Sequence, residues 1–148
     1  MFDQPDQRNV VPFREIPNGV FLVRKQSTKI PAADHYGVLV AGESLAAFGI
    51  PSYEPVMIHR TEIMNVERAE ATGVWDFVEK VDYDQIHMAA ARASETLNEP
   101  NYYLLSNNCE HTARYITSGE KKSTQINWVI GAGLAVGLLA LVLNRDDN

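Results

Sequence analysis

Chemistry in this chain centres on its single cysteine, Cys109, in the stretch YYLLSNNCEHTARYITSG. A thiolate is a strong nucleophile when a nearby imidazole takes its proton and later returns it to a leaving group. Asn107 and Asn108 stand just before the cysteine, and asparagine favours helix N-caps because its side-chain oxygen accepts an orphan backbone N–H. Thr112, Ala113 and Ile116 follow Cys109 at helical spacing, and Gly119 stands where a helix stop is expected. Cys109 is therefore expected in the first turn of a helix, on its inward face. The partial positive charge at that helix end is expected to lower the thiol pKa. The plainer alternative is a small buried hydrophobe without chemistry.

The NCEH block around Cys109 resembles the lecithin:retinol acyltransferase family, whose small members include phospholipid-metabolising acyltransferases related to the H-Ras-suppressor-like proteins. DHYGVLVAG is similar to the family's strand with its first histidine, and VMIHRT to the second. The resemblance spans about residues 16–143. It implies a circularly permuted papain-like arrangement, in which the histidines precede the cysteine. It also implies roles: Cys109 as nucleophile, His35 as general base, and His59 as the group that holds the imidazole of His35 in the right tautomer. The chain departs from the family at Thr112, where an aromatic residue is usual. His35 and His59 also stand further apart than in the small members, and the loop over 49–55 accounts for the extra length.

The remaining histidines read as structural. His111 lies two positions after Cys109 and so points to another side of the helix, and His87 lies beside an apolar stripe on the solvent side. Glu110 in the first turn suits the helix dipole without a catalytic role. No CxxC or HExxH pair is present, so neither a metal nor another cofactor is expected. The oxyanion is expected to be held by the N–H of Cys109 and a further donor. A net charge of −6 argues against nucleic acid as a partner. One cysteine rules out an internal disulfide, and the N-terminus lacks a basic region followed by an apolar run, so a reducing, cytosol-facing setting is expected.

The elements that must position these groups follow from the patterning. Residues 1–14 read as a flexible arm, and Asn18-Gly19 as a turn before a strand over 20–24. A second strand over 35–40 puts His35, Gly37 and Leu39 on one face and Tyr36, Val38 and Val40 on the other. Residues 44–48 read as a return strand, and 56–61 as a strand with Met57 and His59 on one face. Over 62–81 a helix at 66–72 and a strand at 74–81 compete, divided by Gly73. Residues 84–97 form the clearest helix, with Ile86, Ala89, Ala90, Ala93 and Leu97 at helical spacing.

The tail over 126–143 carries no charge, has Trp128 near one end, and contains a Gly133–Gly137 pair of the kind that lets membrane helices approach. At helical rise it spans about 27 Å, against a hydrocarbon core of about 30 Å. It is expected to be a single-pass anchor and a route to a homo-oligomer. Lys121 and Lys122 before it are expected to keep the catalytic domain on the cytosolic side.

The expected whole is an α+β domain, an antiparallel sheet with packed helices, over residues 15–125, then a transmembrane helix over 126–143 and a short tail over 144–148. The expected function is a cysteine acyltransferase or phospholipase that forms an acyl-thioester on Cys109 from glycerophospholipid. The rivals are a papain-like amidase or peptidase, and a membrane-anchored module without turnover.

Overall fold

Valine, leucine and phenylalanine recur through the first half of the chain with the two-residue period of strands, and these runs form the sheet. The computed structural model describes residues 16–26, 34–60, 64–68, 75–97 and 108–124, with residues 127, 130–132 and 134. The strands are β1 (Gly19–Gln26), β2 (Asp34–Ala41), β3 (Val56–Arg60), β4 (Met64–Arg68) and β5 (Asp76–Lys80). They pair antiparallel throughout in the order β4-β3-β2-β1-β5. The helices are α1 (Ser44–Ala47), α2 (Ile86–Leu97), preceded by a 3-10 turn over Tyr83–Gln85, and α3 (Cys109–Ser118).

Alternation divides the sheet into two apolar faces. Val20 and Leu22 of β1, Tyr36, Val38 and Val40 of β2, and Val56 and Ile58 of β3 are buried in one cluster with Leu45 of α1, Ile86, Ala89 and Ala93 of α2, and Ala113 and Ile116 of α3. Phe21, Val23, Leu39 and Met57 form the other, with Ile16, Trp75 and Phe77 against them. Helix α3 lies on β1, β2 and β3, and α2 packs beside it. Two bonds tie the helices: Arg92 Nη1 donates to the Ile116 carbonyl at 3.3 Å, and the Tyr115 hydroxyl donates to Glu95 Oε2 at 2.8 Å.

The α+β class with an antiparallel sheet is what the structure has, but the expected transmembrane element is a correction. Among the described residues no helix is long and apolar enough to cross a membrane. The single-pass anchor over 126–143, and the membrane location inferred from it, are thereby overturned, and an oligomer built through that anchor loses its basis. Residues 135–143 lie outside the described residues, as do the expected arm over 1–14, residues 27–33, 69–72 and the approach to the cysteine over 102–107. Lys25 and Gln26, expected at the start of a loop over 25–33, belong to β1, and residues 66–68, where a helix competed, belong to β4. A second correction is local. The stretch expected as a return strand over 44–48 is the short helix α1, closed by a bond from the Phe48 N–H to the Ser44 carbonyl.

Candidate active site

Helix α3 begins at the cysteine because Asn108 caps it. The Asn108 side chain accepts from the His111 N–H at 3.0 Å, and the Asn108 N–H reaches back to His111 Nδ1 at 3.5 Å. His111 is thus the second half of a capping box. The helix ends at Gly119, whose φ of 81° is a left-handed conformation suited to glycine, and whose N–H donates to the Tyr115 carbonyl at 2.8 Å.

Cys109 is half-buried and packs against the helix-side core. Its Sγ lies 3.9 Å from the Asp34 carbonyl oxygen, and the Tyr36 N–H points at the same sulfur. Asp34 and Tyr36 are the neighbours of His35, so the thiol abuts the main chain on both sides of the first histidine. Burial pushes the Cys109 thiol above its ordinary value; the N–H groups of Tyr36 and Glu110 pull it down, and the Glu110 charge pushes it up again. The low thiol pKa expected from the helix end is therefore not what the structure gives. Desolvation outweighs the dipole where the sulfur is half enclosed.

His35 enters at the start of β2 and His59 near the end of β3, and the pairing of Gly37 with His59 sets their register. His35 Nε2 and His59 Nδ1 are 2.9 Å apart, with the rings edge to face. Gly37, opposite His59, leaves room for Met57: a β-carbon there would lie 2.7 Å from Met57 Sδ and 3.4 Å from the His59 β-carbon. Both histidines share the face of Leu39 and Met57, while the cysteine helix lies on the face of Tyr36 and Val38. The thiol and the histidine pair thus both lie towards one end of β2, on different sides of its main chain. Trp75 lies beside His35, with ring centroids 5.9 Å apart, and Lys25 Nζ stands 4.5 Å over the Trp75 ring.

Glu110, next to the nucleophile candidate, is 0% exposed. Its carboxylate accepts from Arg114 Nε at 2.9 Å, Ser123 Oγ at 2.6 Å, Thr124 Oγ1 at 2.8 Å and the Thr124 N–H at 3.1 Å. Burial alone pushes its pKa up, but these donors overcome burial and hold it at about 2. The carboxylate fastens the segment after α3 back onto the start of that helix. Sequence reasoning passed over this role, and over the Lys25–Trp75–His35 contacts, because each depends on tertiary neighbours. The polar run SGEKKST after α3 was the one visible hint for Glu110. His87 is exposed on α2, away from this cluster.

No curated protein and no solved structure matches the chain. A family model does: that of lecithin retinol acyltransferase, over residues 22–122. The match takes in both histidine strands and the whole of α3 and stops short of the apolar tail, so it is narrower than the span of the sequence resemblance. With well over half of its length matched, the chain belongs to the lecithin retinol acyltransferase family.

Proposed function

We propose that the protein is a cysteine acyltransferase or phospholipase that takes an acyl group from a glycerophospholipid ester onto Cys109. Acyl transfer on lipids is the general activity of its family. The observation that carries the finer reading is the position of the thiol against Asp34 and Tyr36, on either side of a histidine that is itself paired to a second histidine.

The proton inventory is consistent with this reading. The His35 nitrogen that does not meet His59 is Nδ1. For Nδ1 to accept a proton, the neutral ring carries its hydrogen on Nε2, which then donates to His59 Nδ1. That bond remains, and strengthens, when His35 becomes an imidazolium. His59 is thus a positioning residue that fixes the tautomer of His35. Because burial holds the thiol protonated, the base acts during attack and not through a resting ion pair.

In the first step the Cys109 proton passes to His35 Nδ1 and Sγ bonds to the ester carbonyl carbon. The tetrahedral oxyanion is stabilised by the Cys109 N–H, and the Tyr36 N–H is the further donor on this side of the sulfur. Collapse breaks the carbon–oxygen bond, and the lysophospholipid oxygen leaves with the proton from His35. Water, an amine or an alcohol then takes the acyl group by the reverse proton path.

Mass spectrometry of the intact protein after incubation with a short-chain phospholipid tests this. One acyl group is expected on the wild type and none on Cys109→Ala. An adduct formed with peptide esters but never with phospholipid would overturn the lipid reading in favour of an amidase. No adduct with any acyl donor would overturn the enzyme reading.

A further inference from the structure

We propose that Lys25, steadied by Trp75, is a subsite for the phosphate of a phosphodiester lipid, placed in line with His35. The proposal rests on the acyl-transfer reading for where the ester sits, and the placement of Lys25 comes from the sheet register. Lys25 pairs with His35 across β1 and β2. Trp75 stands one position before Asp76, which pairs with Arg24 on the other flank of β1. Trp75, Lys25 and His35 therefore form a row across three neighbouring strands, and His59, opposite Gly37 on β3, reaches His35 from the next row of the same face.

The row has the composition of an anion site. The Lys25 ammonium stands 4.5 Å over the indole, which holds its flexible stem in place, and the indole lies against the ring of His35. Asp34 and Asp76, the carboxylates closest in register, pair with Arg24 at 3.7 Å and 3.9 Å. They alternate with Lys25 and His35 and so belong to the opposite face. A phosphate at Lys25 consequently meets a cation whose neighbours in the row are aromatic rings. Adjacent strands lie about 4.8 Å apart, so a group at Lys25 sits one strand away from His35. In a glycerophospholipid a few bonds of glycerol separate the phosphate from the ester carbonyl, so a phosphate at Lys25 leaves the glycerol beside His35, the base in the acyl-transfer reading. Apolar Phe21, Val23, Leu39 and Met57 lie further along the same face.

Calorimetric titration of the full chain carrying Cys109→Ala with two monomeric ligands tests the subsite without turnover. One ligand is dihexanoylphosphatidylcholine and the other is neutral dihexanoylglycerol. Lys25→Met is expected to weaken the phospholipid about tenfold, as for loss of one charge-assisted hydrogen bond, and to leave the neutral lipid unchanged. Lys25→Arg is expected to restore most of the loss, and Trp75→Leu to reproduce part of it. Equal weakening of both ligands, no weakening, or no binding of phospholipid would overturn the subsite. So would Lys25-dependent binding of inorganic phosphate alone, with no preference for phospholipid over neutral lipid. Turnover by the wild-type protein is read separately. Charge-dependent binding without any acyl adduct keeps the subsite and ends the acyl-transfer reading. An adduct without charge discrimination ends the subsite alone.

Discussion

Two ionisable side chains adjacent in sequence have opposite tasks here. Cys109 is held protonated, chiefly by burial and further by the neighbouring carboxylate, while Glu110 is held charged by four donors. Alkylation of Cys109 by iodoacetamide is therefore expected to rise with pH through a midpoint above that of an ordinary thiol. In Glu110→Gln that midpoint should fall, because one like charge is gone; an unchanged midpoint would remove Glu110 from the thiol's electrostatics. Glu110 also bears on stability. Its folded pKa, about 2, lies below its ordinary value of 4.5. Its contribution is thus fully present above pH 4.5 and lost as pH falls towards 2. Glu110→Gln should lower stability by about 3 kcal/mol at neutral pH, as for breaking one side of a buried charge pair. Melting curves of variant and wild type should then converge on acidification, and a gap constant with pH would count against the anchor. The cysteine and the capping asparagine were legible from residue types alone. The thiol's proton affinity was not, because a helix dipole can be read from spacing whereas desolvation depends on what encloses the sulfur.

At the scale of elements, what the sequence revealed followed length and period. The valine- and leucine-rich runs over 20–24 and 35–40 were readable as strands, while the polarity of Lys25 and Gln26 reads as loop and hides the end of β1; α3, bracketed by Asn108 and Gly119, was readable too. Helix α1 has only four residues, too few to show a helical repeat, and its Leu45 passes equally well for a strand residue. Between residues 62 and 81 the competing patterns resolved into β4 and β5. Two substitutions test how these elements deliver the site. Asn108→Ala is expected to cost about 1 kcal/mol through loss of the cap, measured by the denaturation midpoint, and to slow alkylation-independent acyl loading of Cys109 as the first turn frays. Gly37→Ala pushes a β-carbon into Met57 and against His59. It should cost about 1 kcal/mol as the flexible Met57 gives way, and reduce turnover more than that cost implies. Wild-type turnover in Gly37→Ala would mean that the His35–His59 spacing is not critical.

Over the whole molecule, the order of elements places the cysteine helix and the two histidine strands around one end of β2. Two histidine strands lie side by side near the middle of the sheet, and the last helix of the domain lies across them with its first residue at the end of β2. The NCEH block and the histidine strands made the family legible, whereas composition alone pointed only to a globular domain. Among the described residues no helix is long and apolar enough to cross a membrane; lack of charge over 126–143 satisfies the polarity criterion for a span but is not by itself a helix. The central claim is that the imidazole of His35 moves the proton of Cys109, and the most direct measurement is the single-turnover rate of Cys109 acylation by a short-chain phospholipid. His35→Gln is expected to lower that rate by about 10²–10⁴-fold, the usual contribution of a general base, with alkylation by iodoacetamide at high pH unaffected. Acylation of His35→Gln at the wild-type rate would contradict the account.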